Sequence, residues 1–463
     1  MITTNTDAVN KSHRAAVLLV TSIAAFLTPF MAASVNIALP SIGKEFAIDA
    51  VTLSWIATSF ILSAAVFLIP LGRIADIKGR KKVFIFGGAI FGAASIMAAL
   101  AWSPDILIAA RVIQGIGGAM LFGTVTAIIS SVYPPGERGH AMGINIAITY
   151  LGLSLGPFLG GLMTQYLGWR SLFWLNAILC ALLLVFTLWK LKSEWAEARG
   201  ETFDLAGSII YGIGLVAVMY GLSELPAWYG FLSLAAGLAV LLAFVKWESL
   251  TASPILDITL FRHNQVFAFS NLAAFINYSA TFAVGFLLSL YLQYIRGLTP
   301  GNAGLVLVAM PVVQAVFSPL AGRLSDRIEP RLLASSGMAL TAAGLLLLIF
   351  IGADTALWYI IACLVLLGAG FALFSSPNIN AVMSSVDKKS LGVASATLAT
   401  MRLTGQMFSL GIAMLLISLF MGRVQVTPDV YPQYIRSLQT ALAIFTALCI
   451  GGIFASMARG KTR

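Results

Sequence analysis

The sequence is poor in charge and in the side chains on which enzymes rely. Only 10% of its 463 residues are charged, whereas soluble domains carry about 25%. Its three histidines and three cysteines follow no metal-ligand spacing, and each cysteine lies alone in an apolar run. The phosphate-binding pattern Gly-x-x-x-x-Gly-Lys-Ser/Thr is missing. These absences exclude a soluble domain and argue against an enzyme, a cofactor, a metal site and transport driven directly by ATP.

Long apolar stretches take the place of that charge. Apolar residues make up 59% of the chain and the mean hydropathy is +0.94. Fourteen stretches can each cross ~30 Å of hydrocarbon as a helix, which predicts an all-α integral membrane protein. They begin near residues 15, 52, 81, 104, 139, 170, 204, 226, 266, 301, 331, 356, 390 and 437. Glu224 and Pro226 separate two short runs, so the seventh and eighth stretches could instead form a re-entrant pair.

The basic residues predict the orientation. If the N-terminus is cytoplasmic, 21 of the 28 Lys and Arg residues fall in cytoplasmic segments and five fall outside. By the positive-inside rule this places both termini in the cytoplasm and the protein in the cell membrane. The same distribution explains the net charge of +10 without a nucleic-acid partner. The first stretch is too long for a cleavable signal and is read as an uncleaved first span.

An internal repeat divides the chain. Gly72-Arg-Ile-Ala-Asp76, after span 2, recurs 250 residues later as Gly322-Arg-Leu-Ser-Asp326, after span 10. Parallel repeats of this kind are typical of secondary transporters whose site lies between the halves. The predicted domains are an N-terminal six-helix half, a linker with two inserted helices, and a C-terminal six-helix half, over residues 1–192, 193–250 and 251–463.

The first copy of this repeat predicts a gate. Gly72 and Gly79 permit a tight turn, and Arg80 belongs to the basic run that holds the turn on the cytoplasmic side. Asp76 is the exception in this basic loop. We hypothesise that it faces the positive end of a helix in the opposite half, near Lys388 and Lys389, and that Asp326 plays the equivalent role. The alternative is a loop that only sets topology and pairs its charges locally.

A second motif, in span 4, is Arg111-Val-Ile-Gln114-Gly115. An unpaired cation within hydrocarbon costs several kcal/mol, so Arg111 must face a cavity or a partner. Gln114 lies beside it at the i+3 position. The alternative is that Arg111 reaches the outer interface along its aliphatic stem.

A third motif, in span 5, joins small residues to a proline. Gly152, Gly156 and Gly160 form a smooth stripe at i, i+4 and i+8 for close approach of another helix. Pro157 removes a backbone hydrogen bond and kinks the helix. The run ends in Gly160-Gly161, and this Gly-Pro-x-x-Gly-Gly ending is more specific than the stripe.

Taken together, these three elements resemble the signature motifs of the major facilitator superfamily. The fourteen spans and the segment Arg402-Leu-Thr-Gly405-Gln406 are similar to its fourteen-helix drug:proton antiporter branch. The resemblance implies two six-helix halves plus two inserted helices. It also implies export of small amphipathic compounds by alternating access, in exchange for protons.

One departure from the family pattern concerns the proton. Met31 stands where the family has an acid at the end of helix 1, and no carboxylate falls at the membrane centre by these spans. Proton relays use embedded Asp, Glu or His, and the nearest histidines, His140 and His263, lie in cytoplasmic loops. Proton coupling therefore rests on the resemblance alone.

Polar residues in the C-terminal half are candidates for the substrate site. Arg402 lies about twelve residues into span 13 with Gln406 at i+4, and either contacts an anionic or polar substrate or bonds carbonyls between helices. In span 9, Tyr278 shares a face with Asn271 and Thr281, and Asn277 lies beside it. These residues either line a cavity or bond neighbouring helices.

The sequence thus predicts a monomeric, lipid-embedded secondary transporter that exports small amphipathic or drug-like molecules, with protons as the coupling ion. One alternative is an exporter of anionic metabolites, siderophores or lipids that is not coupled to protons. Another is a non-transporting membrane sensor or scaffold, which the lack of an appended soluble domain disfavours.

Overall fold

The regular elements of the described chain are all helical, and long apolar segments form most of them. The computed structural model describes residues 3–191, 193–251, 253–325, 327–387 and 391–460, with side chains except those of residues 3–12, 135 and 136. The helices of the first half are α1 Thr3–Phe46, α2 Ala50–Lys78, α3 Arg80–Ala99, α4 Pro104–Val132, α5 Pro135–Leu167 and α6 Arg170–Lys190. They are followed by α7 Leu205–Glu224 and α8 Trp228–Glu248. The remaining helices are α9 Ile258–His263, α10 Gln265–Leu290, α11 Pro300–Leu307, α12 Ala309–Ser325, α13 Pro330–Leu348, α14 Leu357–Ser384, α15 Leu391–Met421 and α16 Tyr431–Ala458.

Fourteen helical segments of the described chain are long and apolar enough to span a membrane, as the sequence predicted. Span 9 is α10 extended by a π-helical turn, Tyr291–Ile295, and span 10 is α11 followed by α12. With 20 and 21 residues, α7 and α8 are long enough to cross separately, so the re-entrant alternative is not needed. The last span begins at Pro428, earlier than residue 437, because a 3₁₀ turn leads directly into α16.

An even number of crossings puts both chain ends on one face of the bundle. We call this the terminal face and the opposite one the distal face.

Short connections hold neighbouring helices in place. The carboxylate of Asp49 caps α2 by accepting from the backbone N–H groups of Val51 and Thr52, which satisfies donors that the first helical turn leaves unpaired.

The helices of the two halves pack in the same pairs. In the first half, α5 packs on α1, α4 packs on α2 and α3, and α6 packs on α3. In the second half, α15 packs on α10, α14 packs on α12 and α13, and α16 packs on α13. The sequence repeat is therefore a structural repeat of six helices. The domain boundaries at residues 192 and 250 remain predictions.

The inserted helix α7 touches both halves. The hydroxyl of Tyr211 donates to the carbonyl of Ala65 on α2 at 3.2 Å. On the other side, Gly411 of α15 lies against Met219 and Leu222. Consequently α7 covers the seam along which α2 and α15 meet.

The glycine stripe of α5 lies against α1, as the small-residue spacing predicted. A Cβ at Gly152 would lie 2.7 Å from the carbonyl oxygen of Phe26, and one at Gly160 would lie 2.8 Å from the Cα of Ser34. The Ser34 hydroxyl donates to the carbonyl of Gly156 at 3.0 Å. Because backbone faces backbone here, neither helix can move aside for a larger side chain.

We predict that Gly160→Ala destabilises the protein by about 1–3 kcal/mol, because the added methyl would overlap the α1 backbone. Gly143→Ala on the same helix is the matched control, since a Cβ there meets nothing within 4 Å. Its effect should stay within about 1 kcal/mol. Thermal unfolding of the two purified variants measures the difference, and equal midpoints would show that the close approach is not required.

Candidate functional site

A cavity lies at the centre of the bundle between the two halves. Its unfilled space is about 950 Å³, a figure that includes the opening to solvent. Its polar lining residues are Asn36, Tyr150, Tyr278, Thr281, Gln314, Arg402 and Gln406. Its apolar and aromatic lining includes Pro157, Phe282, Met310, Leu364 and Phe371. Both halves contribute, as expected for a site at the repeat interface.

Arg402 supplies the positive charge of this lining. Its guanidinium carbon lies 5.3 Å from the centroid of the Tyr278 ring. Within the described part of the chain, the guanidinium has no hydrogen bond or ion pair. Gln406, one turn further along α15, also lines the cavity and is 6% exposed. Neither Asp nor Glu occurs among the described residues that line it.

Of the polar residues predicted in span 9, some line the cavity and others do not. Tyr278 and Thr281 line the cavity, and the Tyr278 ring packs edge-on against Phe371 at 5.3 Å. Asn277 departs from the expectation. Its side chain is fully buried away from the lining, and neither of its amide atoms has a partner among the described residues. The reason is helical geometry, because adjacent residues point about 100° apart.

The span 4 motif lies inside the first half, away from the cavity. Arg111 is 1% exposed and its guanidinium donates to the Ile56 carbonyl and to the Gln114 side-chain oxygen. It also stacks over the Phe60 ring at 4.3 Å. Gln114 in turn donates to Ser95 at 2.8 Å. Arg111 is thus paired within its own half and does not reach the outer interface.

Other residues of the motifs lie between helices. A Cβ at Gly115 would meet the carbonyl of Phe60 on α2. At the end of the α5 motif, Gly161 faces the Pro300 carbonyl, and the Pro157 carbonyl lies against Gly304. Residues 300 and 304 belong to α11, so α5 packs on α1 with one face and on the opposite half with another.

At the terminal face, the turn between α2 and α3 is held by a cluster around Arg80. Arg80, 7% exposed, donates to Asp76 at 2.8 Å and to both carboxylate oxygens of Glu197 at 2.6 and 3.0 Å. The hydrogen bond from Arg80 lowers the pKa of Glu197 below its usual value. Gly79 adopts φ +120°, and its position leaves room for the Glu194 side chain. In this structure Asp76 therefore pairs locally, and the linker closes over the turn.

The remaining gate residues are placed only in part. Around Gly72, an added Cβ would meet nothing within 4 Å. Gly322 accepts a bond from Ser325, which Asn380 of α14 contacts in turn. Asp326, Lys388 and Lys389 lie outside the described residues.

The distal side of the cavity is closed by hydrogen bonds between the halves. Ser289 donates to the Asn36 carbonyl at 2.8 Å, Gln293 to the Ile37 carbonyl at 2.9 Å, and Tyr294 to the Pro40 carbonyl at 3.3 Å. Further bonds join Gly301 to Gln165, Gln425 to Ala47, and Ala50 to Val424. Towards the terminal face, the described residues give one bond between the halves, Tyr150 to Ser375 at 3.0 Å.

Proline chemistry explains part of this closure. Pro40 lies inside α1 and has no N–H, so the Asn36 carbonyl four residues earlier lacks its helical donor. Ser289 supplies the missing donor from the opposite half. Gln293 and Tyr294 lie in the π-helical turn that ends span 9, a local geometry that is frequent at functional sites.

Sequence reasoning missed several lining residues. Tyr150 shares a face with the predicted Pro157 at i and i+7, so the helical spacing of α5 could have identified it. Gln314 is an amide within an otherwise apolar span, and its Nε2 is buried without a partner among the described residues. Glu197, which binds Arg80 outside the cavity, could have been identified from charge, since it belongs to an acidic linker that complements the basic turn.

We predict that Gln293→Leu weakens the distal closure, because it removes a hydrogen bond that spans the halves. A Thr281→Cys reporter in the cavity should then react faster with a membrane-impermeant thiol reagent added on the distal side. The three native cysteines are buried and should not interfere with the labelling. The matched control is Gln439→Leu, since Gln439 donates to the Ile351 carbonyl within one half at 2.8 Å. Equal labelling rates in both variants would contradict a gating role.

Comparison with known proteins identifies the family. The family model described as Major Facilitator Superfamily matches residues 21–245 and 271–461. The chain is 32% identical to "Multidrug resistance protein Stp" of Mycobacterium tuberculosis, over 86% of this chain and 74% of that protein. It is 32% identical to "Cephamycin export protein CmcT" of Amycolatopsis lactamdurans, over 88% and 86%. It is 28% identical to "Riboflavin transporter RibZ" of Clostridioides difficile, over 86% of each.

A solved structure supports the same fold. The crystal structure of a mutant of the nucleoside transporter NupG superposes with a TM-score of 0.64 over 96% of this chain and 99% of that one, at 15% identity. At this identity the likeness concerns the fold alone. On the family match and the curated relatives, the chain belongs to the major facilitator superfamily and is a transporter of small molecules rather than an enzyme.

Proposed function

We propose that this protein exports small amphipathic, drug-like molecules across the cell membrane by alternating access, in exchange for protons. The observation that carries the proposal is the central cavity between two repeated halves, closed by hydrogen bonds on the distal side. Aromatic and apolar walls with a few amide groups suit a broad range of amphipathic ligands. Relatives named for multidrug resistance, puromycin resistance and cephamycin export support this class of substrate.

The direction of transport follows from the orientation. We take the terminal face as cytoplasmic, because the basic residues concentrate there under the positive-inside rule. A cavity closed on the distal side then receives its substrate from the cytoplasm or the inner leaflet. Opening of the distal bonds and closing of the terminal side would release it outside, which is the alternating-access cycle.

Proton exchange should be visible in vesicles. In proteoliposomes with an acidic lumen, we expect accumulation of amphipathic dyes that do not titrate between the two pH values, since protons leaving the lumen drive their entry. Dye uptake is measured by fluorescence, with protein-free vesicles as the control. Uptake that persists after an ionophore collapses the gradient would exclude proton coupling, and lack of uptake for cationic, neutral and anionic dyes alike would exclude export of this class.

Asp76 is proposed as a gate residue for the terminal side. It pairs with Arg80 in a structure whose described residues give fewer hydrogen bonds between the halves on the terminal side than on the distal side, and a closed terminal side would bring the opposite half towards it. Asp76 would then face the positive N-terminal end of a helix in the opposite half, and this attraction would stabilise the closed state.

We predict that Asp76→Asn shifts the balance between the two access states by about fivefold or more. Labelling of a Thr281→Cys reporter from each side measures this balance. Glu197→Gln is the matched control, because it removes the other carboxylate bound to Arg80 but lies in the linker. A balance that is unchanged by Asp76→Asn, or changed equally by both, would leave Asp76 with a local structural role.

A further inference from the structure

We propose that the cavity selects planar aromatic anions and that Arg402 binds their carboxylate. This inference rests on the transport function proposed above and specifies its substrate class. Its starting point is the contrast between two arginines at membrane depth, Arg111 and Arg402, whose surroundings differ in what they leave unpaired.

Arg111 has every feature of a structural cation. It is buried, it donates to the Ile56 carbonyl and the Gln114 side chain, and it stacks on Phe60. These contacts replace the water that a charged group loses inside the membrane. Arg111 is also not among the residues that line the cavity.

Arg402 lacks such compensation. In the described residues its guanidinium makes no hydrogen bond and no ion pair, and it lies over the face of the Tyr278 ring. A cation in a membrane interior is costly unless it is paired. Arg402 is partly exposed in a cavity that opens to solvent, so an anionic ligand that enters can replace water as the partner of its guanidinium.

Neighbouring groups define the shape and chemistry of that partner. Gln314 is 4% exposed, and its Nε2 has no acceptor in the described chain although the residue lines the cavity. Gln406 lines the same wall as Arg402. The planar fork of arginine suits a carboxylate, since it binds both carboxylate oxygens at once, and the amides of Gln314 and Gln406 add hydrogen-bonding groups to the same lining.

Aromatic rings supply the other surface. Tyr278 and Phe371 meet edge to face at 5.3 Å, and Tyr150 and Phe282 complete the aromatic lining. Rings of this kind offer flat apolar contact to a planar aromatic body. The described lining contains neither Asp nor Glu, so it has no acidic side chain that would repel a bound anion.

Binding of two dyes that share a xanthene frame tests the proposal. Fluorescein carries a carboxylate and is anionic, whereas its rhodamine methyl ester counterpart is cationic. We expect the purified protein to bind fluorescein more tightly than the rhodamine. We expect Arg402→Gln to weaken fluorescein binding by about tenfold or more and to change rhodamine binding less than about twofold. The fluorescein affinity of Arg402→Lys should fall between those of the unmodified protein and Arg402→Gln, because lysine keeps the charge without the planar fork.

Thermal unfolding is the control for misfolding of the variants. Arg402→Gln removes no hydrogen bond within the described chain, so its thermal midpoint should match that of the unmodified protein. Arg111→Gln, which breaks the paired interior cluster, should lower that midpoint. An Arg402→Gln variant that loses both dyes equally, or neither, would overturn the proposal, as would tighter binding of the rhodamine by the unmodified protein.

Equilibrium binding in detergent needs no gradient and no turnover, so this test can fail while transport of other amphiphiles succeeds. Absence of uptake in vesicles would instead remove the proposed function and leave a binding site. Titration with phosphatidylglycerol distinguishes a lipid phosphate from a free aromatic anion. Displacement of fluorescein by about one equivalent of that lipid would overturn the assignment to a free anion.

Discussion

The cost of an unpaired polar group in hydrocarbon is the constraint on which this structure depends. Helices satisfy their own backbone, and the buried polar side chains bond mostly to backbone carbonyls and in places to one another. The Arg111, Gln114, Ser95 and Asn176 cluster is an example, since each member bonds at least one other within the first half. Against this background, polar groups left unpaired in a cavity indicate where the protein binds something other than itself.

Close approach between backbones is the second requirement. Without a strong hydrophobic force between helices in lipid, small residues allow the contacts that hold a bundle together. In the first half, Gly160 lets α5 lie against α1. In the second half, Gly405 serves the equivalent pair, because a Cβ there would lie 2.6 Å from the Phe275 carbonyl of α10. The same packing thus occurs in both halves, on either side of the seam between them.

Much of this architecture could be predicted from the sequence, because span length, the spacing of small residues and a repeated motif are local signals. Arg402, Gln406 and Tyr278 were also found, since a polar residue within an apolar span is conspicuous. Asn277 and Tyr278 are neighbouring polar residues, and the sequence alone gives no indication of which of them lines the cavity. Gln293 and Ser289 were missed, since their acceptors are backbone carbonyls of another span and leave no pattern in their own segment.

The distal closure connects these points. Pro40 disrupts the hydrogen bonding of α1 at one carbonyl, and the fold completes that bond from the opposite half through Ser289. In the proposed cycle, this bond across the seam would break when the distal side opens, and water would replace its donor. The same proline that weakens α1 locally therefore makes the closed state depend on contact between the halves. Closure on this side is accordingly stabilised by hydrogen bonds that join the two halves, whereas the hydrogen bonds of Arg111 lie entirely within the first half.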